Sequence, residues 1–105
     1  MNPEQQRIAI AEACGWRCTA AFKEAIALWV RPNGMDHETE FIPDYLHDLN
    51  AMHEAEKTLT DKAHEEFRLN LYDVIGDDSR LIVSSTAAER AEAFLRTIGK
   101  WKECT

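Results

Sequence analysis

The pattern of apolar and polar residues changes period several times along this chain, and each change marks an element. Pro3 and Glu4 suit the first turn of a helix and Gly15 suits its end, which predicts a helix over residues 3 to 14 with Ile10, Ala13 and Cys14 on its buried side. From Trp16 to Arg31 two patterns compete. Ala20 to Leu28 could form a helix, whereas Trp16, Thr19, Phe22, Trp29 and Val30 favour strands; two strands are the reading adopted, ended by a turn at Pro32-Asn33-Gly34. Residues 33 to 43 have no period and collect turn formers and acids, so they read as an exposed loop in which Pro43 biases Ile42 towards extended backbone.

From Asp44 the period becomes helical, with Tyr45, Leu49, Met52 and Leu59 near one stripe. Thr60 opens the next helix, which carries Ala63, Phe67, Leu71 and Val74 on one face and stops at Gly76-Asp77-Asp78; with its predecessor it should form a hairpin or one bent rod. Arg80 to Ser84 reads as a short β-branched strand. Thr86 and Glu89 make a capping box for a last helix with Ala87, Ala91, Phe94 and Ile98 as its apolar stripe and Gly99 as its stop. There is no internal repeat, low-complexity tract or Gly/Ser linker, so residues 1–105 are expected to form a single domain. A few strands cannot stand alone in water, and the expected class is α+β, a small antiparallel sheet sandwiched by helices.

Three strings carry a resemblance: ACGW at Ala13 to Trp16, IPDYLHDLNAMHEAEKTL at Ile42 to Leu59, and TAAERAEAFLRTIGKWKE at Thr86 to Glu103. On these the chain resembles the phage ABA sandwich family, small and largely uncharacterised proteins of bacteriophages and prophages. The resemblance implies helices sandwiching an antiparallel sheet and a phage origin. It implies no activity and no catalytic residue, and Arg17 to Glu40 match it least well.

Composition narrows the function classes. With 45% hydrophobic and 30% charged residues the chain has the makings of a folded core, and 12 Lys and Arg against 19 Asp and Glu leave a formal charge of −7. Duplex nucleic acid is therefore an unfavourable partner, whereas a small anion held by two or three gathered arginines is not. Three cysteines, Cys14, Cys18 and Cys104, are an odd number and lack the two-residue spacing of a redox or zinc pair, so they read as free thiols in a reducing compartment. The N-terminus lacks a signal-like apolar run and no stretch approaches membrane-spanning length. The expected location is the cytoplasm of a host bacterium, with no membrane partner.

Catalytic chemistry finds little support. His47 and His53 lie six residues apart, about 240° around a helix axis, which argues against a shared metal. The thiols have no histidine near them in sequence, and the acid pairs Glu54 with Glu56, Glu65 with Glu66, and Asp77 with Asp78 read as solvated charge. The glycines at 15, 34, 76 and 99 are isolated, so no phosphate loop exists; no metal, no cofactor and no enzymatic activity are expected.

What remains is aromatic residues beside positive charge: Trp16-Arg17, Trp29-Val30-Arg31 and Trp101-Lys102. A flat indole can stack on a nucleobase and a guanidinium can pair with phosphate, although Trp16 and Trp29 in so small a chain more often belong to the core. The leading expectation is a non-enzymatic, phage-encoded binding protein that sequesters a small cyclic nucleotide or cyclic ADP-ribose-type signal of bacterial immunity. Its ligand would sit between the protomers of a homo-oligomer, on Trp16, Arg17, Trp29, Arg31 and Arg80. The alternative is an acidic protein-interaction module that inhibits a host protein, with His37 to Glu40 as a contact loop.

Overall fold

In a computed structural model of the 105-residue chain, residues 1–18, 28–32, 39–76 and 85–101 are described. The architecture is α+β, with helices arranged around a small antiparallel sheet. The order of elements is α1 (Pro3–Ala13), β1 (Arg17–Cys18), β2 (Trp29–Val30), β3 (Thr39–Glu40), α2 (Leu49–Glu56), α3 (Asp61–Ile75) and α4 (Ala87–Thr97). The expected strand at Arg80 to Ser84 and Cys104 lie outside the described residues.

Helix α1 begins with a full capping box: Asn2 accepts from the Gln5 N–H at 2.8 Å and Gln5 returns the bond at 3.1 Å. It ends in a Schellman turn, in which the Gly15 N–H donates to Glu12 O and the Trp16 N–H to Ala11 O. Gly15 holds φ of 99°, and a Cβ there would meet Pro32 at 3.4 Å, so the turn is both left-handed and tight against the sheet. The buried face is Ile10 and Ala11, with Cys14 half-buried, while Ala13 is exposed. The sequence pattern places Ala13 inside; it sits about 60° from Ile10 on the side away from Ala11, and the helix turns its Ala11 side to the core.

The sheet has order β1-β2-β3, with Arg17 opposite Val30 and Trp29 opposite Glu40. The two strands expected between Trp16 and Arg31 are present at the ends of that stretch, and residues 19–27 are not described. The loop expected at residues 33 to 43 is corrected in part. Thr39–Glu40 pair with β2 as the third strand of the sheet, which satisfies their backbone groups, and Ile42 just beyond them joins the buried core. Arg7 fixes the segment after β3, its guanidinium donating to Ile42 O at 3.0 Å and Pro43 O at 3.4 Å, 3.9 Å from Asp44.

The helix expected from Asp44 starts later. Residues Tyr45 to His47 form a turn, and Asp48, in extended conformation, caps α2 by accepting from the Asn50 and Ala51 N–H groups at 3.0 and 3.3 Å. A side chain that satisfies the first N–H groups of a helix leaves the residues before it free to turn, so Tyr45 enters the core from a turn rather than from a helical stripe. Thr60 caps α3 and Gly76 closes it, and the Thr86–Glu89 capping box opens α4, all as the sequence predicts.

Helix α4 is the centre of the helical layer, packing on α1, α2 and α3. Of the two arrangements expected for α2 and α3, a hairpin or one bent rod, the hairpin does not form: α3 packs chiefly on α4, tied by Asn70 donating to Thr97 at 3.1 Å. Ala87, Ala91 and Ala93 let neighbouring helices approach closely, and Phe94 and Leu95 fill the space between them. Trp29 brings the sheet into the same core, alongside Ile10, Met52 and Leu71.

Candidate functional site

The Schellman turn that closes α1 projects Trp16 beside the segment Ile42 to Tyr45, which Arg7 holds in place. Between them and α2 lies a cleft of about 480 Å³, walled by Trp16, Pro32, Pro43 and Tyr45, with Arg31 and Glu54 as its charged groups and Cys14 and Thr58 within it. That volume lies within the range of small-ligand pockets, about 300–1,000 Å³.

The polar groups of this cleft lie close together, the Tyr45 hydroxyl near both the Trp16 indole and the Cys14 thiol, and Thr58 near Cys14 as well. Thr58 in turn donates to Ala55 O at 2.7 Å. Burial pushes the Cys14 thiol above its ordinary range, against a smaller opposing effect of the Tyr45 and Thr58 hydroxyls. Burial likewise raises Tyr45, and the adjoining Cys14 adds to it, more than the Trp16 hydrogen bond and the Arg7 charge take away. Both groups thus stay protonated at neutral pH, so the cleft offers neutral donors and a thiol that is a poor nucleophile.

The sequence-expected residues divide. Trp16 and Arg31 meet in the cleft. Trp29 lies in the core with 0% exposure, its neighbour two residues on pointing outwards at the strand's end. Arg17 is exposed on β1 and does not line the cleft. Arg80 lies outside the described residues, as do His37 and Glu38 of the acidic loop; Glu40 of that loop pairs with Arg31 at 3.2 Å. Trp101 is half-buried with the Arg96 guanidinium 5.9 Å from its ring centre, and Lys102 is not described.

The sequence reading missed Tyr45, Cys14, Thr58 and Glu54 as cleft residues. A signal was available, since the strings ACGW and IPDYLHDLNAMHEAEKTL between them supply eight of the cleft's residues: Cys14, Trp16, Pro43, Tyr45, Ala51, Glu54, Ala55 and Thr58. His47 sits in the turn before α2, 3.1 Å from Asp44 and exposed, and among the described residues no three His, Cys, Asp or Glu side chains converge as metal ligands. No helix among the described residues is long and apolar enough to cross a membrane. Comparison with protein-family models, curated proteins and solved structures gives no match for this chain.

Proposed function

We propose that this protein is a non-enzymatic binding protein, encoded by a phage and acting in the host bacterial cytoplasm, that sequesters a small nucleotide signal of cyclic-nucleotide or cyclic ADP-ribose type. The observation that carries the reading is the meeting of Trp16 and Arg31 in one cleft of about 480 Å³. An indole face, flanking proline rings and a Tyr45 hydroxyl suit a nucleobase, while the Arg31 guanidinium suits a phosphate. A thiol and a phenol held protonated favour holding a ligand over attacking it. The phage origin rests on the resemblance of the three strings and not on the cleft. In this reading Trp29 is a core residue and leaves the site, and Arg31 exchanges Glu40 for the ligand, a replacement that costs little because the pair is exposed. A second copy of the chain closing over the cleft would enclose more of a polar ligand than one domain can.

The test is Trp16→Ala with Arg31→Ala, measured by isothermal titration calorimetry against cyclic dinucleotides and cyclic ADP-ribose. Loss of binding with an unchanged melting curve supports the site. Retained binding removes the cleft from the account. The second reading, an acidic module that blocks a host protein, draws on the charge of −7, and a stoichiometric protein recovered with the tagged chain would favour it.

A further inference from the structure

A second concavity lies in the helical layer, where α3 meets α4. It has a volume of about 430 Å³ and is lined by His64, Glu65, Phe67, Arg68 and Leu71 of α3 and by Arg90 of α4. Its floor and rim differ in character: Phe67 and Leu71 are buried, whereas His64, Glu65 and Arg68 are exposed. Positions 64, 67, 68 and 71 fall on one helical face, so the apolar floor and the basic rim are presented together by α3.

We propose that this groove binds a small organic anion, a carboxylate or phosphate carried on an apolar or aromatic body, with Arg68 holding the charged group and Phe67 and Leu71 receiving the body. Arg68 makes no ion pair or side-chain hydrogen bond among the described residues, in a chain whose acids outnumber its bases by 19 to 12. Arg90 forms the far wall. Its guanidinium pairs with Glu56 at 2.8 Å, and Glu56 does not itself line the groove. His64 adds a further ring nitrogen at the rim. Glu65 is the opposing element, and because Glu56 balances Arg90, the charge offered to an anion is that of Arg68. The same carboxylate excludes ligands with high negative charge density, which selects a single anionic group on a largely apolar body.

The experiment is a ¹H–¹⁵N correlation titration of the full chain with phenyl phosphate, benzoate, inorganic phosphate and benzyl alcohol. Phenyl phosphate and benzoate should give saturable shifts at residues 64 to 71 and at Arg90, and the tighter of the two identifies the preferred head group. Arg68→Gln should weaken the better ligand about tenfold, the loss expected of a charge-assisted hydrogen bond, whereas Glu65→Gln should tighten it. Arg68 is exposed, so Arg68→Gln should keep the wild-type spectrum elsewhere. Trp16→Ala, in the other cleft, should change nothing here. The proposal is overturned if neither aromatic anion saturates, if inorganic phosphate or benzyl alcohol binds as well as they do, or if Arg68→Gln binds undiminished.

Discussion

The pair formed by Glu56, at the end of α2, and Arg90, on α4, makes the sharpest energetic prediction of the fold. Arg90 Nη1 donates to Glu56 Oε1 at 2.8 Å, and the two side chains keep only 14% and 11% of their exposure. With charge centres about 4 Å apart in an effective dielectric of about 20, their attraction is about 4 kcal/mol. Withdrawing each ion from water costs several kcal/mol, so the pair contributes little net stability. Glu56 Oε2 is buried without a hydrogen-bond partner among the described residues, which weakens the balance further.

Removing Arg90 is another matter, because it leaves the buried Glu56 carboxylate without the guanidinium that balances it. Arg90→Met should destabilise the protein by about 3 kcal/mol and Glu56→Leu by less, while the double variant, which removes both charges and keeps apolar volume, should lie within about 1 kcal/mol of wild type. The assay is urea denaturation monitored by far-UV circular dichroism, with the four proteins compared at a common slope. A coupling energy of at least about 2 kcal/mol is expected. Additive losses, or single variants within about 0.5 kcal/mol of wild type, would show that the pair is solvated and refute the reasoning.

Other expectations rest on single elements. Trp29→Ala should cost about 3–5 kcal/mol in the same denaturation assay, whereas Arg31→Ala, two residues along the chain but exposed, should stay within about 0.5 kcal/mol. Thr86→Ala removes the acceptor for the Glu89 N–H at 3.1 Å and should lower stability by about 1 kcal/mol. Cys14 and Tyr45 give the stability a pH dependence of fixed sign. Their folded values are raised, so above the unfolded thiol value of about 8.5 the folded state binds more protons than the unfolded one. Stability is therefore lost as the pH rises from the unfolded towards the folded values, because unfolding releases protons that the folded chain keeps and high pH favours that release. Melting temperatures measured from pH 7 to 10.5 should decline more steeply for wild type than for Cys14→Ala with Tyr45→Phe.

How much of this was legible in the sequence depends on where the information resides. Helix ends set by local hydrogen bonds read correctly: Thr60, Gly76 and the Thr86 with Glu89 box act within four residues of chain, and each stands where the pattern puts it. Elements fixed by distant partners did not. Thr39–Glu40 become a strand only because Trp29 and Val30 lie beside them, and the turn at Tyr45 depends on Arg7, more than thirty residues away, holding Ile42 and Pro43. Periodicity alone also continues α2 back to Asp44, since Tyr45 falls on a helical spacing whether or not the backbone is helical.

The site was half legible for the same reason. An aromatic beside an arginine can be seen in a string, but the packing of the sheet decides which of the two faces solvent, and it sends Trp29 inwards and Arg31 outwards. The Cys14, Tyr45 and Thr58 cluster joins three separate turns, and no local spacing reports such a meeting. The Gly15 turn that aims Trp16 was visible as a helix stop, although its close approach to Pro32 was not.

The proposed sequestering role is tested most directly by native mass spectrometry of the purified chain with a panel of cyclic dinucleotides, cyclic trinucleotides and cyclic ADP-ribose, then denaturation and recovery of whatever was bound. The account predicts a discrete mass shift with one member of the panel, lost in Trp16→Ala with Arg31→Ala, and the ligand recovered chemically intact. No shift with any member, or recovery of a hydrolysed product that accumulates with time, would contradict it.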